Sequence, residues 1–349
     1  MSVREKFFRS VRRQGEGYVP YEFNLCPSLQ EEFKKRYGEI EYNSYFEFPC
    51  RYVESQFTAD ISRYHRFHPN LKDTHFSDWG VGYKKGSVAH FTEMKHPMRD
   101  FKSLEEFKLY PYPDPIADYS WDEVSVKVNE IKANNLVAVA RMAMTIFEIS
   151  WYLRGMDNLM IDMVMNPDLA NYHMDRITEI RCEFARRYTQ AGIDLLHLGD
   201  DVSTQLDMMM SPDMWRIYIK PRLEAVISAA KQVNPNILIF YHGDGNLQKI
   251  IPDLIEVGVE ILNPIQPECM DPVEIKKQYG DKLTLWGTVG TQTTMPFGTV
   301  HEVRETCIKM IRDVGKGGGL VLAPTHTLEP EVPWENIQAF IDVVRDHNR

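Results

Sequence analysis

The chain has 349 residues, of which 43% are hydrophobic, so it can bury a large core and fits one α/β barrel without requiring two domains. Its formal net charge of -10 argues against nucleic acids and anionic membranes as partners. Five cysteines without CxxC spacing indicate reduced thiols, and therefore a cytoplasmic protein. Because the first twenty residues lack an apolar run, we expect no secretion signal, and no stretch approaches the roughly 20 apolar residues of a membrane span.

Short apolar segments recur along the chain, and most are followed by a helical pattern. In chain order they are YVPYEFN, FPCRYVE, LVAVARM, IDLLHLGDD, ILIFYHG, VEILNPIQP, KLTLWGTVG and GLVLAPTHT. Continuously apolar strands of this length are typical of parallel sheets that are buried on both faces. The pattern predicts an α/β fold, a (β/α)8 TIM-type barrel. An open doubly wound sheet is the alternative, although no glycine-rich first turn supports its nucleotide-binding forms.

The segment 59–114 fits no strand–helix repeat. It is rich in histidine, proline, glycine and aromatic residues, and WGVGYKKGSVAHFTEM within it predicts a β-hairpin. We therefore predict a single domain over residues 1–349, with an N-terminal extension and with 59–114 as an insertion or cap over the barrel mouth.

Polar residues follow nearly every predicted strand, where enzymes of this fold build their active sites. They are Asn24, Cys26, Arg51, Arg141, Asp200, Asp201, Gln205, His242, Asp244, Gln266, Cys269, Thr288, Gln292 and His326. Folding alone does not require this much polarity at one end of a barrel. Each residue also has a structural interpretation: His326 as a hydrogen-bonded histidine, Asp200 and Asp201 as a helix cap beside a solvated carboxylate, and Arg141 as the partner of one of them.

The pentapeptide from His242 to Asn246, HGDGN, ends the fifth predicted strand. GDGN alone is an ordinary turn sequence, and the chain lacks the lysine and glycine spacing of a phosphate loop. Because alternate residues share a face, His242 and Asp244 should point to the same side. With His326 at another strand end, two imidazoles and one carboxylate form a common set of ligands for a divalent metal with open positions. Cys269 is a further candidate ligand.

From about Val137 to Val344 the chain resembles the uroporphyrinogen decarboxylase superfamily. The resemblance rests on the ordered motifs YHGDGN, VGVEILNPIQ, YGDKLTLWGTVGTQ and LAPTHTLEPEVPWENIQAFIDVV. Two upstream segments, PYEFNLCPSLQEEF and HPMRDFKSLEEFKLYPYPDP, resemble its branches that are not decarboxylases. The resemblance implies the barrel fold and one of two chemistries.

The two chemistries differ in their binding residues. The decarboxylases of the superfamily use no cofactor and hold the carboxylates of a tetrapyrrole with Arg-Gln-Ala-Gly-Arg after the first strand. Here the corresponding residues read NLCPSL, without arginine, which argues against a porphyrinogen substrate. The corrinoid-dependent methyltransferases hold zinc through His-x-Cys after the fifth strand and Cys after the eighth. His242, Asp244 and His326 stand at these places, and the exchange of thiolates for harder ligands favours a harder metal site.

The resemblance thus implies a metal-dependent methyltransferase, with zinc as the expected metal, that moves a methyl group between a small substrate and a corrinoid on a partner protein. The predicted catalytic residues are Asp200, Asp201 and His326, and the predicted substrate contacts are Arg141, Gln205, Gln266, Thr288 and Gln292. A cofactor-free decarboxylase with Asp200 or His326 as proton relay is one alternative. A non-catalytic barrel that binds a corrinoid or tetrapyrrole is another. The oligomeric state is open, with a homodimer compatible with the sequence.

Overall fold

A computed structural model describes residues 1–349 apart from 16, 69–71, 73 and 86–91. The strands are β1 (Cys50–Val53), β2 (Gln56–Phe57), β3 (Thr74–Phe76), β4 (Gly82–Lys85), β5 (Thr92–Lys95), β6 (Tyr119–Ser120), β7 (Val137–Met142), β8 (Leu195–Gly199), β9 (Leu238–His242), β10 (Ile261–Asn263), β11 (Thr284–Trp286) and β12 (Leu320–Val321). The α-helices are α1 (Val3–Val11), α2 (Pro27–Tyr37), α3 (Tyr42–Tyr45), α4 (Leu104–Lys108), α5 (Asp122–Ala133), α6 (Phe147–Arg154), α7 (Met156–Met165), α8 (Pro167–Gln190), α9 (Pro212–Tyr218), α10 (Lys220–Val233), α11 (Ile251–Glu256), α12 (Pro272–Tyr279), α13 (Thr294–Phe297), α14 (Val300–Asp313) and α15 (Trp334–Asn348). Two 3-10 helices cover Ile61–Phe67 and Gln248–Ile250.

Seven strands form one parallel sheet in the order β1-β7-β8-β9-β10-β11-β12. The segment YVPYEFN continues this sheet beyond β12, where Tyr21 forms a parallel bridge with Leu322. On its other side, the Tyr52 hydroxyl of β1 donates a hydrogen bond to Glu22 at 3.2 Å. The sheet therefore curls round through eight positions with helices outside it, which confirms the predicted (β/α)8 TIM-type barrel. The first segment makes isolated bridges where the sequence predicted a continuous strand.

The outer helices pack on the sheet through apolar stripes of helical spacing. On α14, the stripe of Val303, Cys307 and Met310 is buried, with each side chain at most 5% exposed. The strands are buried on both faces: all five residues of β8 are buried, as expected for a parallel strand between a barrel interior and a layer of helices.

The N-terminal extension closes the lower end of the barrel. Helix α1 places Phe7 and Val11, both almost fully buried, against the amino-terminal ends of the strands, in a cluster that includes Val137 and Leu195. The Arg4 guanidinium also binds the buried carboxylate of Asp194, with Nη2 and Oδ1 2.5 Å apart. This packing closes the lower end and leaves the upper end, where the strands finish, as the end that can hold a site.

The segment 59–114 contains a small antiparallel sheet, β3-β4-β5, which includes the predicted hairpin of β4 and β5. The hairpin residues 86–91 lie outside the described residues. Hydrogen bonds within the segment hold it together: Tyr64 and Tyr110 donate from their hydroxyls to the carbonyl oxygens of Asp78 at 2.7 Å and Trp79 at 2.6 Å. Asp78 and Trp79 line a cavity that also contains His242, so this segment lies over the barrel mouth as predicted.

Within the described part of the chain, we find no helix that combines the length and the apolarity needed to cross a membrane.

Candidate functional site

Three side chains at the upper end of the barrel form a potential metal-binding cluster. They are Asp201, which follows β8, His242 at the end of β9, and Asp244 two residues later, and one ligand atom from each lies within 4.8 Å of the others. His242 Nε2 is 3.8 Å from Asp201 Oδ1 and 4.0 Å from Asp244 Oδ1. The predicted proximity of His242 and Asp244 is thus confirmed, and the structure adds Asp201 to them.

The imidazole of His242 is held by a hydrogen bond on the side away from the two carboxylates. Its Nδ1 lies 2.6 Å from Asn263 Oδ1, while Asn263 Nδ2 donates to the carbonyl oxygen of Trp286 at 3.1 Å. Because the Asn263 amide is oriented by that second bond, its oxygen faces His242, and Nδ1 must be the protonated nitrogen. In the neutral imidazole, Nε2 is therefore the lone-pair donor facing Asp201 and Asp244, as in histidines that bind metals.

The HGDG turn brings the two carboxylates together through backbone contacts. Asp201 Oδ1 accepts a hydrogen bond from the backbone N–H of Asp244 at 2.8 Å. Gly245 has φ +92°, and a Cβ at this position would lie 2.4 Å from the carbonyl oxygen of Thr204. Only glycine adopts this turn without strain, so the turn sequence serves to position Asp244.

Asp244 itself lacks a partner for one of its oxygens. Its Oδ1 is buried and makes no hydrogen bond within the described residues. Burial raises the pKa of this carboxyl group, an effect opposed by His242 and His326 and reinforced by Asp201. A buried carboxylate oxygen without a donor is costly, and a bound cation would remove that cost.

Two more acidic residues lie beside the cluster. Glu148 accepts a hydrogen bond from the backbone N–H of Asp201 at 3.2 Å, and burial, together with Asp200 and Asp201, raises its pKa to about 8. Asp200 is 1% exposed. Four carboxyl groups, those of Glu148, Asp200, Asp201 and Asp244, therefore interact at one end of the barrel, which favours either proton or cation binding there.

Asp200 has a structural role, which corrects its placement among the catalytic candidates. Its two oxygens accept four backbone hydrogen bonds of 2.8–3.0 Å, from the N–H groups of residues 145–148 at the start of α6. Burial raises its pKa to about 7, but these donors oppose the shift. Since every bond uses a carboxylate oxygen as acceptor, the charged form fits this position, and no oxygen remains for a substrate.

His326 and Cys269 were the other predicted ligands. His326 is exposed and lines a cavity together with His242, and its charge would lower the pKa of Asp244. It remains a predicted ligand outside the three-residue cluster. The Cys269 thiol lies 3.6 Å from Gln266 Oε1, and burial, Glu268 and Asp244 raise its pKa, which disfavours the thiolate needed for metal binding.

The predicted substrate contacts occupy different depths of the site. Gln205 and Gln292 are hydrogen-bonded to each other at 2.9 Å, at the exposed rim. Gln266 is 5% exposed and accepts from the backbone N–H of Gly245 at 2.5 Å, so it supports the turn that carries Asp244. Thr288 is buried with its hydroxyl unpartnered within the described residues. Arg141 is exposed and lines two cavities.

Those two cavities meet at the cluster. One of about 310 Å³ extends into the barrel, and the other of about 480 Å³ extends beneath the cap; both are lined by Glu54, Arg141 and His242. A larger groove of about 740 Å³ lies on the outside of the barrel against α14 and α15, and its lining in the described structure includes none of the predicted site residues. The size of the inner cavities suits small molecules.

Several residues that line these cavities are not among those predicted from the sequence. Glu148 was missed because it belongs to a helix and follows no strand. His197 lies within β8, is 6% exposed and has a buried Nε2 without a hydrogen-bond partner among the described residues. Glu22 lies inside the first segment, in a position where alternation with the buried Tyr21 and Phe23 could have identified it.

Comparisons with known proteins agree with this architecture. The family model of uroporphyrinogen decarboxylase (URO-D) matches residues 78–347. The chain is 28% identical over 179 residues to methylcobamide:CoM methyltransferase MtaA of Methanosarcina barkeri, covering 51% of this chain and 49% of that protein. It therefore spans about half the length of these methyltransferase relatives. It is 22% identical over 275 residues to uroporphyrinogen decarboxylase of Thermus thermophilus, covering 77% and 74% of the two chains.

The fold also matches a solved structure along its entire length. A methyltransferase from Methanosarcina mazei superposes with a TM-score of 0.72 at 18% identity, covering 100% of both chains. With the family model matching well over half of the residues, the chain belongs to the uroporphyrinogen decarboxylase (URO-D) family.

Proposed function

We propose that this protein is a metal-dependent methyltransferase that moves a methyl group between a small substrate and a corrinoid carried by a partner protein. The observation that carries the proposal is the cluster of Asp201, His242 and Asp244 at the carboxyl ends of adjacent strands, with Asp244 Oδ1 buried and unpartnered. The similarity to methylcobamide:CoM methyltransferases supports the choice of reaction. The five free cysteines support a reducing, cytoplasmic location.

The donor set fits a divalent metal. One imidazole and two carboxylates, with His326 in the adjoining cavity, would hold zinc or a harder ion such as iron or manganese and leave positions open for a substrate atom. Such an ion would supply Lewis-acid activation of the substrate heteroatom. The absence of thiolates from the three-residue cluster favours a harder metal than a cysteine-bound zinc.

The protein's own residues would prepare the reaction in three ways. Asn263 fixes the tautomer of His242, so Nε2 is available without reorganisation. Asp200 holds the start of α6, and with it Glu148, against the cluster. Arg141 presents a guanidinium to both cavities and would hold an anionic group of the substrate. Because these groups are in place before the substrate arrives, little energy is needed to arrange them.

The charge of the cavity walls argues against the decarboxylase alternative. Five acidic side chains line the two cavities, namely Glu22, Glu54, Asp78, Glu148 and Asp201, against the two arginines Arg141 and Arg181. Arg181 is 7% exposed and donates to the carbonyl oxygens of Met144 and Thr145. In these described walls an octacarboxylate would meet acidic side chains and one arginine, Arg141, whose guanidinium is not held by backbone carbonyl oxygens.

Methyl transfer to and from a free corrinoid tests the proposal. The protein, loaded with zinc, iron or manganese in turn, would be mixed with reduced or methylated cobalamin and a panel of small thiols, methyl ethers and methylamines. We expect a change in the cobalamin absorption spectrum that depends on metal and disappears in His242→Ala. Formation of coproporphyrinogen from uroporphyrinogen, or no methyl transfer with any metal, would contradict it.

A further inference from the structure

A pair of hydrogen-bonded side chains, Glu22 and Tyr52, lines the inner cavity on the wall opposite the metal-binding cluster. Glu22 belongs to the first position of the barrel and His242 to the fifth, so they face each other across the axis. An eight-stranded barrel is only wide enough inside for side chains or one small ligand. Glu22 and His242 therefore face the same small space, and a ligand that fills it would contact both walls.

The hydrogen bond leaves one oxygen of Glu22 available. Tyr52 donates from its hydroxyl to Glu22 Oε1 at 3.2 Å, and Oε2 makes no hydrogen bond within the described residues. Both residues, with Arg141, His197 and His242, line the 310 Å³ cavity. Glu22 is only partly exposed, and 40% of the Tyr52 surface is accessible. The pair is thus reachable by a small ligand that enters this cavity.

The surroundings of Glu22 favour a carboxyl group that is protonated near neutral pH. Burial raises its pKa to about 7, while the bond from Tyr52 and the charges of Arg141 and Arg51 oppose the shift. The other titratable groups facing it are Tyr42 and Cys50, and the cavity is shared with Glu54, His197 and His326. Burial holds the pKa of His197 well below its usual value, so this histidine is neutral and adds no charge.

We propose that Glu22 is a catalytic residue that exchanges the proton of the substrate heteroatom during methyl transfer, with Tyr52 positioning it. This assignment rests on the proposed function. When a methyl donor reacts, the bond from carbon to heteroatom breaks and its electron pair stays on the heteroatom, which takes the proton from Glu22. The methyl carbon bonds to a reduced cobalt corrinoid through the electron pair of the metal. In the reverse direction, the protonated heteroatom displaces the corrinoid from the methyl carbon and gives its proton to the Glu22 carboxylate. The substrate class is therefore a small oxygen, nitrogen or sulfur compound whose heteroatom gains or loses one proton.

The first arm of the test needs no substrate. Glutamate carboxyl carbons would be observed by ¹³C NMR during a pH titration of wild type, Glu22→Gln, Tyr52→Phe and the control Glu31→Gln, an exposed glutamate on α2. Two glutamates should titrate above the ordinary range, Glu148 near pH 8 and Glu22 near pH 7, and only the titration near pH 7 should be lost in Glu22→Gln and kept in Glu31→Gln. In Tyr52→Phe this titration should move to higher pH, because the variant lacks the hydrogen bond that stabilises the ionised carboxylate of Glu22 in wild type. Titration of Glu22 in the ordinary glutamate range would overturn the assignment.

The second arm measures methyl transfer with free cobalamin against pH. Glu22→Gln should lower kcat by about 10²–10⁴-fold and remove one limb of the pH profile, while its bound metal stays at the wild-type level. If wild type transfers methyl groups and Glu22→Gln has the same rate and pH profile, the assignment of Glu22 is wrong while the proposed function stands. A wild type that transfers no methyl group would overturn the proposed function and the assignment together, so the two failures are distinguishable.

Discussion

Asp200→Asn changes one atom of a buried side chain and should destabilise the protein strongly. Two of the four N–H groups that bind Asp200 would then face the amide nitrogen, which cannot accept a hydrogen bond. A buried donor left without its acceptor costs about 1–3 kcal/mol, so the loss for two donors is about 4 kcal/mol. In a chain of 349 residues this corresponds to a fall in Tm of roughly 5 °C.

The adjacent Asp201→Asn is the matched control, because it makes the same chemical change one residue away. It should alter the free energy of unfolding by about 1 kcal/mol or less, because Asn keeps Oδ1 as the acceptor for the backbone N–H of Asp244 and removes one charge from the acidic cluster. Urea unfolding of both metal-free variants, followed by circular dichroism, measures the difference. Equal stabilities of the two variants would refute the assignment of Asp200 as the cap of α6.

Three further predictions concern Glu22 in the cavity wall, Asn263 beside His242, and Gly245 in the HGDG turn. The pKa of Glu22 rises from 4.5 to about 7 on folding, so between these values the native state holds a proton that the unfolded state has lost. The free energy of unfolding should therefore fall as pH rises through this window, by at most about 3 kcal/mol and by less where water in the cavity screens the charge. Urea unfolding measured across this pH range should show the fall in wild type and not in Glu22→Gln. Asn263→Leu removes the acceptor for His242 Nδ1 and should weaken metal binding about 10–100-fold in a chelator competition assay; an unchanged affinity would show that this bond does not orient the imidazole. Gly245→Ala puts a Cβ 2.4 Å from the Thr204 carbonyl oxygen at φ +92° and should lower the stability by about 2 kcal/mol or more in thermal unfolding, whereas a wild-type Tm would mean that the turn can relax.

The barrel could be predicted because its strands are continuously apolar and regularly spaced along the chain. The first strand is the exception: Pro20 has no N–H to donate, and residues 18–25 make isolated bridges to the chain around β12 in place of a ladder. The proximity of His242 and Asp244 was equally predictable, because a spacing of two residues in an extended chain puts both side chains on one side.

The distinction between Asp200 and Asp201 was not drawn from the sequence, although the sequence contains a signal for it. Neighbouring residues at a strand end point to opposite sides, so one of the two acids must leave the cavity. His197 lies inside the barrel. Asp201 comes an even number of residues later and therefore points to the same side of the extended chain, whereas Asp200 points to the other side. What the sequence could not give is the partner of Asp200, because residues 145–148 lie more than fifty positions away and meet it only through the packing of β7 against β8.

Metal content gives the most direct test of the cluster of Asp201, His242 and Asp244 as a metal site. Wild type, His242→Ala, Asp201→Asn and Asp207→Asn would be incubated with zinc, iron or manganese, freed of loosely bound ions and analysed by elemental mass spectrometry. Asp207 is the control, an exposed carboxylate of the same loop that pairs with Lys249. We expect close to one ion per chain in wild type and Asp207→Asn, and a loss of at least about tenfold in affinity in the other two variants. A wild type that retains no ion, or an Asp201→Asn variant that binds as tightly as wild type, would contradict the assignment of this cluster as a metal site.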